Sequence, residues 1–270
     1  IVDVELVDRL EDKMKLLELL FTMAYEAKVN YEDVFGQVKY WDVLIHNYLK
    51  ARKIVIPQKS SSSKSDKYEG AYVKDPQVGQ HKWVMSFDLN SLYPHLIMQY
   101  NMSPETLITG NYMKLDVETM LKETDIDIPD KCTITPNGAL YRKDKKGFLP
   151  EMMQEIYDDR TVFKKKMLQA KQDFEDTKDP KYQKYISRYN NIQMARKISL
   201  NSAYGAIGNQ YFRYFDVDMA EAITLSGQLS IRWIADKLNE FLNKIVGTED
   251  YDFIVASDTD SVYIRLGELV

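Results

Sequence analysis

The sequence predicts a mixed α+β fold, and two observations carry that expectation. Apolar residues recur at three- and four-residue spacing through several long segments, as in amphipathic helices. Short β-prone runs, Trp83–Phe87, Phe253–Ala256 and Val262–Ile264, stand beside aspartates and read as strands. With 270 residues and 44% hydrophobic content, the chain can bury a substantial core. No apolar run reaches the roughly 18 residues of a membrane span, and no signal-peptide pattern opens the chain. The single cysteine, Cys132, excludes an internal disulfide or a multi-cysteine zinc site, and three histidines leave little for a histidine-rich metal centre.

Taken in order, residues 1–30 read as one helix with Val4, Val7, Leu10, Met14, Leu17, Phe21 and Ala24 as its apolar stripe. A second amphipathic stretch runs from about Gly36 to Arg52. The polar, serine-rich run Gln58–Lys67 reads as a linker. The strand at 83–87 ends at Asp88. Val117–Arg142, with Pro129, Pro136 and the Asn137-Gly138 turn signal, should form short strands and loops. Pro150 opens a long helix that runs to about Lys178, where Asp179-Pro180 breaks it. A partner helix from Lys181 to about Tyr204 completes an antiparallel hairpin. A third helix covers about Met219 to Val246, with Ile223, Gly227, Ile231, Ile234, Leu238, Phe241 and Ile245 as its apolar face and Gly247 as its C-cap. Ser257–Ser261 then joins the last two strands as a hairpin.

The net charge of −5 argues at first against a nucleic-acid partner, but it is unevenly distributed. From Lys181 to Arg213 there are six basic residues and no acidic one, with five tyrosines interleaved, and Lys164-Lys165-Lys166 adds to the partner helix. From Tyr214 onward four basic residues face eleven acidic ones. A basic helix with aromatics serves either as a solvated face or as a surface for phosphates and bases.

Asp258 and Asp260 flank one residue at the tip of the last hairpin, and residues two apart on a strand share a face. At about 4 Å and an effective dielectric of 20 their repulsion is roughly 4 kcal/mol, which a hard cation such as Mg²⁺ would offset. Ser-Asp-Thr-Asp-Ser is equally good turn chemistry. Asp88 is either a helix N-cap or, with that hairpin on a neighbouring strand, half of a two-metal site for phosphoryl transfer. Arg160 and Lys164 share one helix face, and Lys197, Asn201 and Tyr204 share another. Such a set could hold a triphosphate and cover a base; solvation and core packing are the plainer uses. Asn201 is a poor mid-helix residue, and Gly205 and Gly208 admit a close neighbour.

Together these residues resemble family B DNA polymerases. Asp88-Leu89-Asn90-Ser91-Leu92-Tyr93-Pro94 resembles motif A, Lys197-Ile198-Ser199-Leu200-Asn201-Ser202-Ala203-Tyr204-Gly205 motif B, and Asp258-Thr259-Asp260-Ser261 motif C. Tyr68-Glu69-Gly70-Ala71 resembles the Tyr-x-Gly-Gly/Ala motif that precedes the polymerase domain. Ile56-Pro57-Gln58, Val73-Lys74-Asp75-Pro76, Ser103-Pro104-Glu105-Thr106 and Phe212-Arg213-Tyr214 are most similar to the T-even-type phage replicative branch.

The resemblance implies a palm whose β-sheet carries the catalytic carboxylates, with an inserted two-helix fingers element. It implies a helical remnant of the exonuclease or N-terminal region at 1–57, a linker at 58–80, palm at 81–148 and 211–270, and fingers at 149–210. Asp88 and Asp260 would bind two Mg²⁺ ions, Mn²⁺ being able to substitute, with the Leu89 carbonyl as a further ligand and Asp258 as a supporting carboxylate. Arg160, Lys164, Lys197 and Asn201 would hold the incoming triphosphate, together with the backbone amides of Ser91 and Leu92. Tyr93 would lie under the sugar and exclude a 2′-hydroxyl. Tyr204 and Gly205 would line the nascent base pair, and Tyr68 and Gly70 would touch the template. The implied partners are primer–template DNA, dNTP and a sliding clamp reached through other segments, with no membrane. The implied setting is the cytoplasm of an infected bacterium.

His95 departs from the family's usual serine, and the Lys-rich palm motif and thumb are absent, so a window of a larger enzyme is expected. Asp3 falls where the last exonuclease metal ligand would be, but a helix N-cap is its expected role here. Two rival functions remain: a module that binds DNA or nucleotide without turnover, and a metal-dependent nuclease using the same carboxylates.

Overall fold

The computed structural model describes residues 2–59, 68–122, 125–267 and 269–270, so most of the expected linker, Ser60–Lys67, lies outside the described residues. In chain order the elements are α1 (Val2–Met14), α2 (Leu16–Ala27), a 3₁₀ turn (Tyr31–Phe35), α3 (Gln37–Ala51), β1 (Val73–Lys74), β2 (Val84–Asp88), α4 (Leu92–Tyr100), β3 (Leu107–Thr109) and α5 (Val117–Leu121). There follow β4 (Cys132–Ile134), β5 (Leu140–Arg142), α6 (Phe148–Thr177), α7 (Lys181–Ile207), α8 (Val217–Val246), β6 (Ile254–Asp258) and β7 (Ser261–Arg265). The mixed class is as expected. The chain forms two compact units, Ile1–Ser63 with Met152–Phe215, and Lys64–Glu151 with Asp216–Val270.

The first unit is helical. The expected single helix over residues 1–30 is two helices, because Lys15 turns left-handed at φ 54°. The Glu11 carboxylate takes the Leu17 amide at 3.1 Å, capping the new N-terminus. The apolar spacing runs unbroken across this point, so periodicity could not reveal it. Asp3 lies inside the first turn of α1, so it is not the N-cap. Tyr40, Trp41, Ile45 and Leu49 of α3 are buried. The Tyr40 hydroxyl shares a 2.6 Å hydrogen bond with Ser199 Oγ, and Trp41 Nε1 donates to Ser202 Oγ at 3.0 Å, fixing α3 on α7. The α6–α7 pair is antiparallel, as expected. Asp159 meets Arg196 at 3.2 Å, and the Phe163 and Tyr189 rings lie 6.2 Å apart, so ascending positions on α6 meet descending ones on α7.

The second unit holds two antiparallel sheets, ordered β1-β6-β7-β2 and β3-β5-β4. Helix α8 packs Ile231 and Leu242 against Phe253, Ile254, Val262 and Ile264. Its apolar stripe differs from the expected one near its end, where Leu242 is buried while Phe241 and Ile245 are 60% and 54% exposed. Phe241 stays in line with Ile223, five turns away, so the difference arises because the sheet meets this end of α8 on the Leu242 side. Gly247, at φ 76°, ends α8 as expected. In β7, Val262 and Ile264 point into the core while Tyr263 is exposed. Strand β2 lies at the sheet edge and is exposed along its length.

Candidate functional site

The second unit brings three of the expected carboxylates to one end of its four-stranded sheet. Antiparallel pairing sets Asp88, the last residue of β2, opposite Ser261, and sets Asp258, the last residue of β6, opposite the same Ser261 on its other side. Asp260 is next to Ser261, and its carbonyl accepts the Leu89 amide at 2.7 Å. Asp88 therefore belongs to the sheet. The position before α4 is taken by Ser91, left-handed at φ 54°, so Asp88 is not the helix N-cap.

The shared-face argument for Asp258 and Asp260 fails on geometry. Thr259 is left-handed at φ 53°, and the Asp260 amide folds back to the Asp258 carbonyl at 2.6 Å. The two carboxylates thus sit on the two arms of a tight turn, Asp258 exposed and Asp260 half-buried. The Thr259 amide also donates to the Tyr72 carbonyl at 3.0 Å, pinning the turn to the segment before β1.

Burial pushes the Asp260 carboxyl above the usual carboxylate range, and the charges of Asp88 and then Asp258 push the same way. Burial, then the negative charge of Asp260 and the nearby Tyr68 phenol, likewise raises the Tyr93 phenol. Asp88, Asp258, Asp260 and Tyr93 therefore share one electrostatic environment. The donors fit a hard divalent cation, which prefers oxygen ligands. Among the described residues no three His, Cys, Asp or Glu side chains form a ready metal cage. Mg²⁺ commonly takes one or two carboxylates and completes its shell with water and substrate phosphate, and the Asp88–Asp260 pair fits that pattern.

Helix α8 supplies support that the sequence reading missed. Thr224 Oγ1 donates to the Glu69 carbonyl at 2.8 Å, and Gln228 Nε2 to the Gly70 carbonyl at 2.7 Å, so α8 holds the Tyr68–Ala71 segment. Between them a Cβ on Gly227 would lie 2.9 Å from Tyr93 Cε1. The only sequence signal was a glycine beside two polar residues one turn apart on an otherwise apolar face. His95 Nδ1 meets the Ser91 carbonyl at 2.9 Å, inside the first turn of α4. Leu92 is buried and opens α4.

The first unit carries the remaining expected residues. Arg160 and Lys164 lie one turn apart on α6, and Lys197, Asn201, Tyr204 and Gly205 lie along α7, with Lys197 and Asn201 exposed and Tyr204 half-buried. A Cβ on Gly205 would meet the Gln37 amide at 2.5 Å, so its close neighbour is the start of α3. The basic stretch is less available than its composition suggested. Arg196 pairs with Glu26 and Asp159, Arg213 with Asp42 at 2.8 Å, and Lys181 with Asp179 at 3.0 Å. The Tyr185 and Tyr189 rings stack on each other with centroids 6.2 Å apart.

The model of DNA polymerase family B matches residues 35–269. Over its whole length the chain is 36% identical to the DNA-directed DNA polymerase of Enterobacteria phage T4 and 34% identical to that of Escherichia phage RB69, covering 34% of each. It is 30% identical, over 96% of its length, to the DNA polymerase delta catalytic subunit of Candida albicans, covering 24% of that protein. The chain thus spans about a third or less of the curated relatives it matches. The structure of a family B DNA polymerase from Pyrobaculum calidifontis superposes with a TM-score of 0.62 at 24% identity, covering 93% of this chain and 29% of that one.

Proposed function

The chain belongs to DNA polymerase family B, and from that premise we propose that it is part of an enzyme that adds deoxynucleotides to a primer 3′-hydroxyl on a DNA template. The observation that carries the reading is the register that sets Asp88 and Asp258 on either side of Ser261, with Asp260 tied to Leu89. Asp88 and Asp260, with the Leu89 carbonyl, would hold two Mg²⁺ ions, Asp258 supporting them and Mn²⁺ able to substitute. When bound, such ions supply Lewis acidity toward the primer hydroxyl and the leaving pyrophosphate.

The chain's own groups do the positioning. Tyr93, backed by Gly227, lies against the sugar and leaves no room for a 2′-hydroxyl. The amides of Ser91 and Leu92 and the side chains of Arg160, Lys164, Lys197 and Asn201 bind the triphosphate, neutralising charge that develops on the leaving group. Tyr204 and Gly205 line the nascent base pair, and Tyr68 and Gly70 guide the template. In this reading residues 81–148 and 211–270 are palm and 149–210 fingers, with 58–80 a linker and 1–57 the end of an N-terminal region. The two phage relatives support a viral enzyme at work in an infected host's cytoplasm.

Primer extension by the full-length protein with Mg²⁺ and dNTPs tests this. Asp88→Ala and Asp260→Ala should each abolish incorporation while leaving primer–template affinity within about threefold; retained turnover would overturn the assignment. Because the chain covers 34% of its phage relatives, a second reading applies to these 270 residues alone. In isolation they bind DNA or nucleotide without turnover, and binding without extension by the chain would establish it.

A further inference from the structure

The six cations of α7 and its C-terminal loop divide sharply. Lys181, Arg196 and Arg213 are committed to ion pairs, while among the described residues Lys184, Arg188 and Lys197 have no carboxylate partner. Lys197 belongs to the motif already assigned to nucleotide. Lys184 and Arg188 are not used by that reading, and with Asn191 they follow i, i+4, i+7 spacing on one face of α7. Opposite them, Phe21 and Tyr25 lie four apart on α2, so their rings share a face. Between the two helices runs a cleft of about 780 Å³, lined by Phe21, Tyr25, Lys184, Arg188 and Asn191 among others. Tyr25 is 89% exposed and Phe21, whose ring lies 6.3 Å from that of Tyr31, is 54% exposed, so both leave aromatic surface open to a ligand.

Of the two carboxylates in the cleft, both are hydrogen-bonded but only Glu26 has a cationic partner. Glu18 accepts from Ser187 Oγ and from Asn191 Nδ2 at 2.8 Å, and Glu26 pairs with Arg196. Glu18 keeps its charge, since its partners are neutral, so Lys184 and Arg188 stand against one carboxylate and leave the cleft net positive by one, with two aromatic side chains opposite. Stacking rings facing unpaired cations suit single-stranded nucleic acid, whose unpaired bases stack while its phosphates meet the cations. A duplex hides its base faces and would use the cations alone. We propose that this α2–α7 cleft binds single-stranded DNA, with a base on Tyr25 and backbone phosphates on Lys184 and Arg188. This extends the DNA-handling reading to a surface outside the polymerase motifs.

The test is fluorescence anisotropy of labelled oligo(dT) of 16 nucleotides with the full 270-residue chain, without dNTP or Mg²⁺, so that loss of polymerase chemistry cannot affect it. The double variant Lys184→Ala/Arg188→Ala should bind about tenfold more weakly, and its log K against log salt slope should flatten by about 1.4, the value for two phosphate contacts on a single strand. Tyr25→Ala should weaken binding about fivefold at an unchanged slope. Both sets of side chains reach the surface, and unchanged melting temperatures would establish that folding is intact. Wild-type affinity in both variants would overturn the proposal. So would equal affinity for blunt duplex and oligo(dT) together with a silent Tyr25→Ala. Failure of primer extension by the full-length protein with these binding losses intact would count against the polymerase reading alone.

Discussion

The Leu89 amide donates to the Asp260 carbonyl across 2.7 Å, joining the end of β2 to the β6–β7 turn. That single backbone bond carries the sheet register past its last ladder pair, Asp88 with Ser261. It holds Asp260 near Asp88, whose charge adds to burial, the larger cause, in raising the Asp260 carboxyl. An arrangement that crowds carboxylates in this way costs stability unless a cation is present.

Asp260→Asn should therefore stabilise the metal-free protein. A carboxyl raised in the folded state makes stability fall as pH rises through its titration. The variant's advantage should be absent below the ordinary carboxylate range, about pH 4, should grow above it, and should level off at neutral pH. Thermal melts of both proteins in EDTA from pH 3.5 to 7.5 measure it; a pH-independent difference would contradict the electrostatic origin.

Gly227→Ala tests the backing of Tyr93. The new Cβ would stand 2.9 Å from Tyr93 Cε1, closer than carbon atoms tolerate. Overpacking of this kind costs about 1–3 kcal/mol, partly offset by about 1 kcal/mol of helix propensity, so a net loss of about 1 kcal/mol is expected from urea unfolding. In the full-length protein the displaced ring should change the ratio of ribonucleotide to deoxynucleotide use. An unchanged ratio in both this variant and Tyr93→Ala would remove Tyr93 from sugar selection.

Arg196→Met should destabilise the helical unit in a pH-dependent way. Burial raises the Glu26 carboxyl, and Arg196 opposes that rise. Without the guanidinium, Glu26 is left charged at neutral pH with little solvent, its side chain being only 18% exposed. The loss should be about 2–3 kcal/mol at pH 7, below that of a fully buried pair, and should shrink toward pH 4 as Glu26 takes a proton. Urea unfolding at the two pH values reads the difference.

Lys197→Ala should weaken dNTP use in the full-length protein by about 1.5–3 kcal/mol, the range of a charge-assisted hydrogen bond. Because Lys197 is exposed, its loss should leave the melting temperature unchanged. A wild-type response to dNTP concentration would argue against its role.

Much of this protein was legible in its sequence because the signals were local. Helix and strand periodicity, the Asp179-Pro180 break, Gly247 as a C-cap and the three polymerase-like motifs depend on neighbours a few residues apart. What only the tertiary structure decided depended on partners distant in sequence. The break at Lys15 interrupts no apolar spacing. The burial of Leu242 in place of Phe241 follows from where α8 meets the sheet. The pairing of Arg196 and Arg213 with Glu26 and Asp42 required helices that are 170 and 171 residues away along the chain. Asp88 could equally have capped a helix until strand register placed it opposite Ser261. Residue types and spacing determined which groups were chemically able to act. Long-range register and charge pairing, which no local pattern encodes, decided which of them stand together and which cations remain free.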